Sequence, residues 1–154
     1  MSIYTITIHG GAGTILKENM TDELETSYKK GLQDALNVGY NLLENGASAL
    51  DAVRAVVISL EDNILFNAGK GSVFAKDGTQ EMDASIMEGQ HLMAGVVSAV
   101  RNIRNPVELA YAIMTQSPHV MLTGQGAYEF AKLHNIKTEP DEYFYSAFRH
   151  NQWK

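Results

Sequence analysis

The sequence predicts an α/β protein in which helices are layered on a largely antiparallel sheet. Two observations carry this prediction. Apolar residues recur at three- and four-residue steps over several long segments, which is typical of helices with one buried face. Between those segments lie short runs rich in β-branched residues and separated by glycine turns, which indicate antiparallel strands. Strands grouped between helices favour a layered sandwich over a doubly wound parallel sheet.

The composition fits one domain over residues 1–154, with a core of about residues 1–134 and a polar C-terminal tail over 135–154. Of the 154 residues, 45% are hydrophobic and 19% are charged, which is typical of a folded chain. The formal charge of −6 argues against nucleic acid or an anionic membrane as a partner. There is no cysteine, which excludes disulfides and thiolate chemistry. The first residues show no signal-peptide pattern, so we expect a soluble, cytoplasmic protein.

The first half of the chain predicts one strand and then two helices. β-Branched residues alternate along residues 3–8, which indicates a strand, and the glycine-rich residues 9–13 end it in a loop. Thr21 suits the N-cap of a helix because two acids follow it, and that helix ends at Asn45. Ser48 opens the second helix, with an acid three residues later. The predicted buried faces comprise Leu24, Tyr28, Leu32, Ala35, Leu36, Leu42 and Leu43 in the first helix and Leu50, Val53, Val56, Val57 and Leu60 in the second.

The second half predicts an antiparallel meander followed by two more helices. Gly78 and Gly89 each lie in a tight turn between strand-like runs. Asn105 followed by Pro106 is typical of a helix start. The predicted elements are strands over residues 72–75, 80–87 and 92–100, a helix over 105–116, a short strand over 119–122 and a helix over 125–133.

Without reference to any family, the residues do not show a complete set of catalytic groups. The glycines of residues 9–13 lack the spacing of a dinucleotide-binding loop. Residues 68–72 differ from a P-loop because Ile64 replaces its first glycine and Gly71 stands where Ser or Thr is required. The five histidines show no zinc-binding spacing. Asp83 lies in a predicted strand, where a satisfied hydrogen-bond acceptor is a more common role than a catalyst.

Seven segments nevertheless resemble one known family, and they occur in that family's order over nearly the whole chain. They are IHGGAGT at residues 8–14, LEDNILFNAGKGSVF at 60–74, EMDASIM at 81–87, AGVV at 94–97, RNP at 104–106, SPHVM at 117–121 and GQGA at 124–127. Each segment is a weak signal alone, but the combination is specific. On these motifs the sequence resembles the plant-type isoaspartyl peptidase/L-asparaginase family of N-terminal-nucleophile hydrolases.

The resemblance implies an αββα sandwich whose two halves come from one precursor. Members cut themselves before a threonine, which becomes the N-terminal nucleophile of a β chain. This sequence matches only the α portion, and the cleavage point has no counterpart before Lys154. We therefore expect an α subunit without its own nucleophile, which agrees with a predicted sheet of only about four strands. The implied assembly is (αβ)2 with a β subunit from the same precursor, and the implied substrates are L-asparagine and β-aspartyl dipeptides.

The resemblance also implies roles for one loop. Asn67 matches a family residue close to the threonine, where a neutral amide could orient the hydroxyl; a loop asparagine bonded to its own backbone is the alternative. Residues 60–70 match the family's sodium-binding loop, and oxygen ligands suit a hard cation. The choice between Na+ and K+ stays open, as does a second cation near residues 117–124, and no catalytic cofactor is implied. The implied ligands are the main-chain carbonyls of Leu60, Glu61, Asn63, Phe66, Ala68 and Lys70.

Three other hypotheses stay open at this point. Within the same superfamily, the chain could belong to a glycosylasparaginase or a threonine aspartase. In another class, the half-fold could serve as a non-enzymatic binding or regulatory module. Nucleotide binding through the glycine-rich loops would require measurable affinity for ATP or NAD, which we do not expect.

Overall fold

The computed structural model describes residues 3–11, 18 and 20–154. Within this part of the chain the fold is mixed α/β, which confirms the predicted class. The elements are α1 (Asp22–Glu44), α2 (Ala49–Glu61), a 3-10 turn (Gly69–Gly71), β1 (Met82–Met87), β2 (Ala94–Val100), α3 (Pro106–Gln116), β3 (Met121–Thr123), α4 (Gly124–Leu133), α5 (Asp141–Phe144) and α6 (Ala147–Trp153).

The two N-terminal helices begin and end where their capping residues predict. Thr21 Oγ1 accepts a hydrogen bond from the Leu24 N–H at 3.2 Å, which satisfies a donor that the first turn of α1 leaves without a partner. Ser48 Oγ does the same for the Asp51 N–H at 3.1 Å at the start of α2. Helix α1 ends at Glu44, directly before Asn45. These boundaries confirm the sequence predictions because capping acts over only three or four residues.

The sheet has three strands in the order β1-β2-β3, and only its first pair is antiparallel. Strands β1 and β2 form the predicted hairpin around Gly89. A register shift lies between Met82 and Ala84, where Asp83 Oδ1 accepts the Ala99 N–H at 2.8 Å. Asp83 therefore has the satisfied acceptor role that its position in a strand suggested.

The predicted all-antiparallel meander is wrong. The third strand is β3, and it runs parallel to β2 because α3 carries the chain back across the sheet between them. Residues 72–75 form no strand, since side chains bond the backbone of Ser72 and Val73, and Ala75 bonds within the adjacent turn, where its N–H donates to the Thr79 carbonyl at 2.7 Å. Asn67 Oδ1 accepts the Val73 N–H at 2.9 Å, and Gln80 Nε2 donates to the Ser72 carbonyl at 2.7 Å.

The predicted strand over residues 3–8 is also absent as a hydrogen-bonded element. Its residues alternate between exposed and half-buried, as the sequence pattern predicted, but no strand of the described residues pairs with them. The Tyr4 ring lies 5.6 Å from the Tyr40 ring of α1, so the segment follows that helix. A strand requires a partner, and the alternation alone does not supply one.

The hydrophobic core lies between the sheet and α3. Leu109 and Ile113 of α3 are fully buried together with Val97 of β2. Residues 135–154 form α5 and α6, and Phe144 from this segment joins the same core with only 2% of its surface exposed. Helix α3 is therefore fixed against the sheet, and its first turn has a fixed position for the polar contacts described below. In the portion of the chain that the structure describes, no helix combines the length and the apolar character needed to cross a bilayer.

We predict that Gly95→Ala destabilises the protein by about 1–3 kcal/mol through overpacking. Gly95 is buried in β2, where an added Cβ would lie 2.8 Å from the Met114 backbone nitrogen and still closer to the Ala110 carbonyl oxygen. The backbone of α3 cannot yield as a side chain would. Gly89→Ala is the matched control, because nothing lies within 4 Å of its added Cβ. Urea unfolding midpoints measure the difference, and equal midpoints for the two variants would contradict this account.

Candidate functional site

The candidate site is the loop of residues 61–72, which connects the end of α2 to the segment before β1. Its first anchor is Asp62, which accepts hydrogen bonds from Arg104 Nε and Nη2, both at 3.2 Å. Asn105 Nδ2 and the Tyr143 hydroxyl donate to the same carboxylate at 3.3 and 3.2 Å. Partial burial opposes the charge of Asp62, but Arg104, Asn105 and Tyr143 together hold the pKa of Asp62 below its ordinary value. The start of the loop is thereby bound to α3 and to the C-terminal segment.

The neighbouring carboxyl group, that of Glu61, is buried beside Asp62. Only 2% of Glu61 is exposed, and its Oε1 accepts the Val107 N–H at 3.0 Å in the first turn of α3. Its Oε2 is buried and has no hydrogen-bond partner among the described residues. Burial raises the pKa of Glu61 to about 8, although the Val107 N–H and the Asn105 side chain act in the opposite direction. Glu61 therefore joins α2, α3 and the loop through a carboxyl group that favours its protonated form.

Asn67 lies in the middle of this loop and is exposed. Its Oδ1 accepts the Val73 N–H at 2.9 Å. The side chain therefore bonds the backbone of its own loop, which is the alternative role that the sequence analysis gave for Asn67. That bond engages the oxygen and leaves the two Nδ2 hydrogens to donate to a neighbouring group. The geometry is thus compatible with both interpretations of Asn67, because its Oδ1 holds the loop and the exposed residue keeps its Nδ2 donors.

The other end of the loop is held by Arg149 of α6. Its Nε donates to the Gly71 carbonyl at 2.7 Å, and its Nη2 donates to the Leu65 carbonyl at 3.3 Å. These two carbonyls flank Asn67 in the sequence. The loop is consequently fixed at its start by Asp62 and along its length by Arg149.

Five of the six carbonyls that the resemblance assigns to a cation belong to this same loop, and the sixth, that of Leu60, directly precedes it in α2. The Leu60 carbonyl accepts the N–H groups of both Asp62 and Asn63. The carbonyls of Asn63, Phe66 and Ala68 each accept one loop N–H at 2.9–3.3 Å. A carbonyl oxygen has two lone pairs, so each of these three can still face an ion. In the described part of the chain, no group of three or more Asp, Glu or His side chains is arranged to hold a metal.

Two glycines allow these carbonyls to crowd together. A Cβ on Gly69 would lie 2.5 Å from the Glu61 carbonyl oxygen, and Gly69 has a φ of +50°. A Cβ on Gly71 would lie 2.6 Å from the Ile64 carbonyl oxygen and closer to that of Phe66. Both glycines therefore lie directly against loop carbonyls, and uncharged oxygens of this kind are ligands that a hard cation accepts, so the residues present fit the implied site. The Ile64 carbonyl is an additional candidate that the sequence did not indicate.

Sequence reasoning found the loop and Asn67 but missed the side chains that hold the loop. Arg104 stood out only as part of a short motif, and Asn105 only through that motif and as a helix start. Tyr143 and Arg149 belonged to a segment expected to be a polar tail. Their partners lie 42 to 84 residues away in the sequence, so no local pattern indicates them. Nothing in the sequence around Arg149 indicates that its side chain is buried.

Comparison with known proteins gives the family. A family model described as asparaginase matches residues 2–154, which is nearly the whole chain. The chain belongs to the asparaginase family. This confirms the resemblance drawn from the seven motifs, and it places both the loop and Asn67 within the matched region.

Individual members of the asparaginase family are similar over almost all of this chain. The isoaspartyl peptidase/L-asparaginase of Xenopus laevis is 45% identical over 148 residues, which cover 96% of this chain and 46% of the relative. The isoaspartyl peptidase of Escherichia coli is 44% identical over 147 residues, which cover 96% of this chain and 46% of the relative. The Homo sapiens isoaspartyl peptidase/L-asparaginase is 46% identical over 138 residues, covering 89% and 43%. The chain thus spans a little under half the length of the curated relatives that it matches.

We predict that Glu61→Gln flattens the decline of stability with rising pH. Because the pKa of Glu61 is raised on folding, the folded protein retains a proton that the unfolded chain loses above its ordinary pKa of about 4.3. The stabilisation from this group is complete below that value and is lost as the pH rises to about 8. Glutamine resembles the protonated acid at every pH, so the variant should be more stable than the wild type at pH 8.

Urea unfolding midpoints at pH 5, 6.5 and 8 measure this effect. Glu81→Gln at an exposed position is the matched control and should follow the wild type. A Glu61→Gln variant that loses stability with pH as steeply as the wild type would refute the prediction.

Proposed function

We propose that this chain is the α subunit of an isoaspartyl peptidase/L-asparaginase. In this proposal the chain supplies a rigid loop with Asn67, and a β subunit from the same precursor supplies an N-terminal threonine nucleophile. The observation that carries the proposal is the exposed Asn67 amide on a loop anchored at both ends, within a chain that matches the asparaginase family over residues 2–154. A cytoplasmic location stays a prediction.

Exposed apolar side chains on this chain support the proposal of a second subunit. Met87 and Leu92, at the β1–β2 hairpin, are 71% and 83% exposed, and Val120 and Met121, at β3, are 60% and 52% exposed. Residues 3–8 have the alternation of a strand but no strand partner among the described residues. Exposed apolar side chains around a small sheet mark an interaction surface. A β subunit that extends the sheet would bury them and complete the αββα sandwich, and two such pairs would form the (αβ)2 assembly.

The proposed reaction needs no histidine. An α-amine has an ordinary pKa of about 7.7–8.0, so near neutral pH it accepts the proton of the hydroxyl on the same threonine. The threonine oxygen then forms a bond to the side-chain carbonyl carbon of asparagine or to the isopeptide carbonyl. Ammonia or the peptide amine leaves with a proton, and water hydrolyses the resulting ester. The role of Asn67 is to donate a hydrogen bond from Nδ2, which orients the attacking oxygen or the water.

Mass spectrometry and substrate assays together test this proposal. Protein expressed from the complete reading frame should contain a second polypeptide that begins with threonine. It should hydrolyse L-asparagine and a β-aspartyl dipeptide. Preference for a glycosylated asparagine would favour the glycosylasparaginase alternative, and the absence of both a second chain and hydrolysis would refute the proposal.

We predict that Asn67→Asp lowers kcat by about 100-fold, the size of effect seen when one oriented donor is removed. Aspartate keeps an oxygen for the Val73 N–H but lacks the Nδ2 hydrogens, so the loop stays in place while the donor is lost. Steady-state kinetics with a β-aspartyl dipeptide measure the effect. Asn151→Asp, at an exposed position of α6, is the matched control. Wild-type kcat in Asn67→Asp would show that the amide only holds the loop.

We also propose that the loop binds Na+ through main-chain carbonyls, and we predict that Na+ raises the thermal unfolding midpoint. Inward-facing carbonyls are unfavourable when neither a donor nor a cation satisfies them. A cation that binds these carbonyls only in the folded state stabilises that state by mass action, and this raises the unfolding midpoint. Among the implied ligands, the Glu61 carbonyl lies beside Gly69, and the Phe66 carbonyl beside Gly71 accepts the Ala68 N–H and keeps a second lone pair for an ion.

Calorimetry measures this effect by comparing the unfolding midpoint in Na+ with that in choline at the same ionic strength. Choline is the reference cation because it is too large to bind among the loop carbonyls. A separate titration with K+ decides between the two ions. An identical midpoint in Na+, K+ and choline would contradict a cation in this loop.

A further inference from the structure

Arg149 is a buried cation that contacts the candidate site from the C-terminal segment. Only 8% of Arg149 is exposed, and none of the ion pairs among the described residues includes it. Burial accordingly lowers the pKa of the Arg149 guanidinium. A buried charge is costly unless polar groups replace the water it has lost. Here the replacements are the carbonyls of Gly71 and Leu65 and the side chain of Gln152.

The two loop carbonyls that bind Arg149 are distinct from the six assigned to the cation. Gly71 and Leu65 lie on either side of Asn67, and neither belongs to the implied ligand set. The loop thus directs one set of carbonyls to Arg149 and leaves another set for an ion. If the loop moved away, the guanidinium would lose two of its three hydrogen-bond partners while remaining buried. The burial of Arg149 therefore resists displacement of the loop.

Helix α6 is a firm support for Arg149. Ser146 Oγ caps the helix by accepting the Arg149 N–H at 3.1 Å, and Trp153 Nε1 donates to the Lys76 carbonyl at 3.4 Å. Phe144, two residues before Ser146, is part of the core, and its carbonyl accepts a hydrogen bond from Gln80 Nε2 at 3.0 Å. Because Gln80 also bonds the Ser72 carbonyl, the C-terminal segment meets the end of the loop at a second point.

We propose that Arg149 is a positioning residue that fixes the loop so that Asn67 keeps its orientation toward the reacting groups. This proposal rests on the function proposed above. Arg149 does not touch the reacting atoms; it acts through the backbone on both sides of Asn67. Its loss should therefore reduce kcat while leaving KM nearly unchanged, since displacement of a group that orients the nucleophile affects the transition state more than substrate binding.

The test compares Arg149→Met with Arg54→Met in protein expressed from the complete reading frame. Arg54 is a matched control because it is also well integrated, with Nε and Nη2 bonds of 2.6 and 2.7 Å to Glu108 and a stacking contact with Tyr111. It joins α2 to α3, and within the described residues it makes no hydrogen bond or ion pair with the loop of residues 61–72. Arg149→Met should lower kcat on the order of 10–100-fold, whereas Arg54→Met should lower the unfolding midpoint without changing kcat.

Amide hydrogen exchange supplies a readout that does not depend on activity. The Val73 N–H, which Asn67 Oδ1 accepts, should exchange faster in Arg149→Met than in the wild type or in Arg54→Met. Arg149→Lys is the second variant, because it keeps the charge and the aliphatic stem but cannot bridge two carbonyls with a planar fork. It should show an intermediate kcat and an intermediate exchange rate.

The outcomes separate this proposal from the proposed function. Loop exchange that is unchanged in Arg149→Met, or accelerated equally in Arg54→Met, would overturn the positioning role whatever the activity. Wild-type protein that hydrolyses neither asparagine nor a β-aspartyl dipeptide would overturn the proposed function, while the exchange measurement would still decide whether Arg149 fixes the loop.

Discussion

Polar groups meet where α2 ends and α3 begins, and the hydrogen bonds that they form across this junction govern the conformation of the loop that follows. Glu61 accepts the Val107 N–H in the first turn of α3, and Asp62 accepts bonds from Arg104 and Asn105. An unsatisfied buried donor or acceptor costs about 1–3 kcal/mol, and more if it is charged. The direction in which the chain leaves α2 is therefore determined by contacts with α3 rather than by the loop sequence alone.

The same principle extends along the loop to its far end. Arg149 is buried and uses the carbonyls of Leu65 and Gly71 in place of water, so the loop and α6 stabilise each other. The sheet and α3 provide the rigid base for both anchors, because Phe144 ties the C-terminal segment into their core. A polar side chain on a loop held this firmly is preorganised, which suits the supporting role proposed for Asn67.

Features that depend on neighbouring residues could be predicted well. The caps at Thr21 and Ser48, the hairpin at Gly89 and the helix beginning at Pro106 all lie where the sequence indicated. Pairing between distant strands could not be predicted in this way. The alternation of residues 3–8 describes a segment with two different faces, but whether it becomes a strand depends on a partner elsewhere. Likewise, the short β3 run does not reveal that a crossover helix makes it parallel to β2.

The sequence by itself determined the family, the helices with their ends, and the loop that contains Asn67, because motifs and capping residues act over short stretches of chain. Tertiary structure alone decided that Asp62 meets Arg104 and Tyr143, that Glu61 is buried, and that Arg149 reaches the carbonyls on both sides of Asn67. These contacts join residues 42 to 84 positions apart. Which charges are buried, and which groups then replace their water, depends on how the whole core packs.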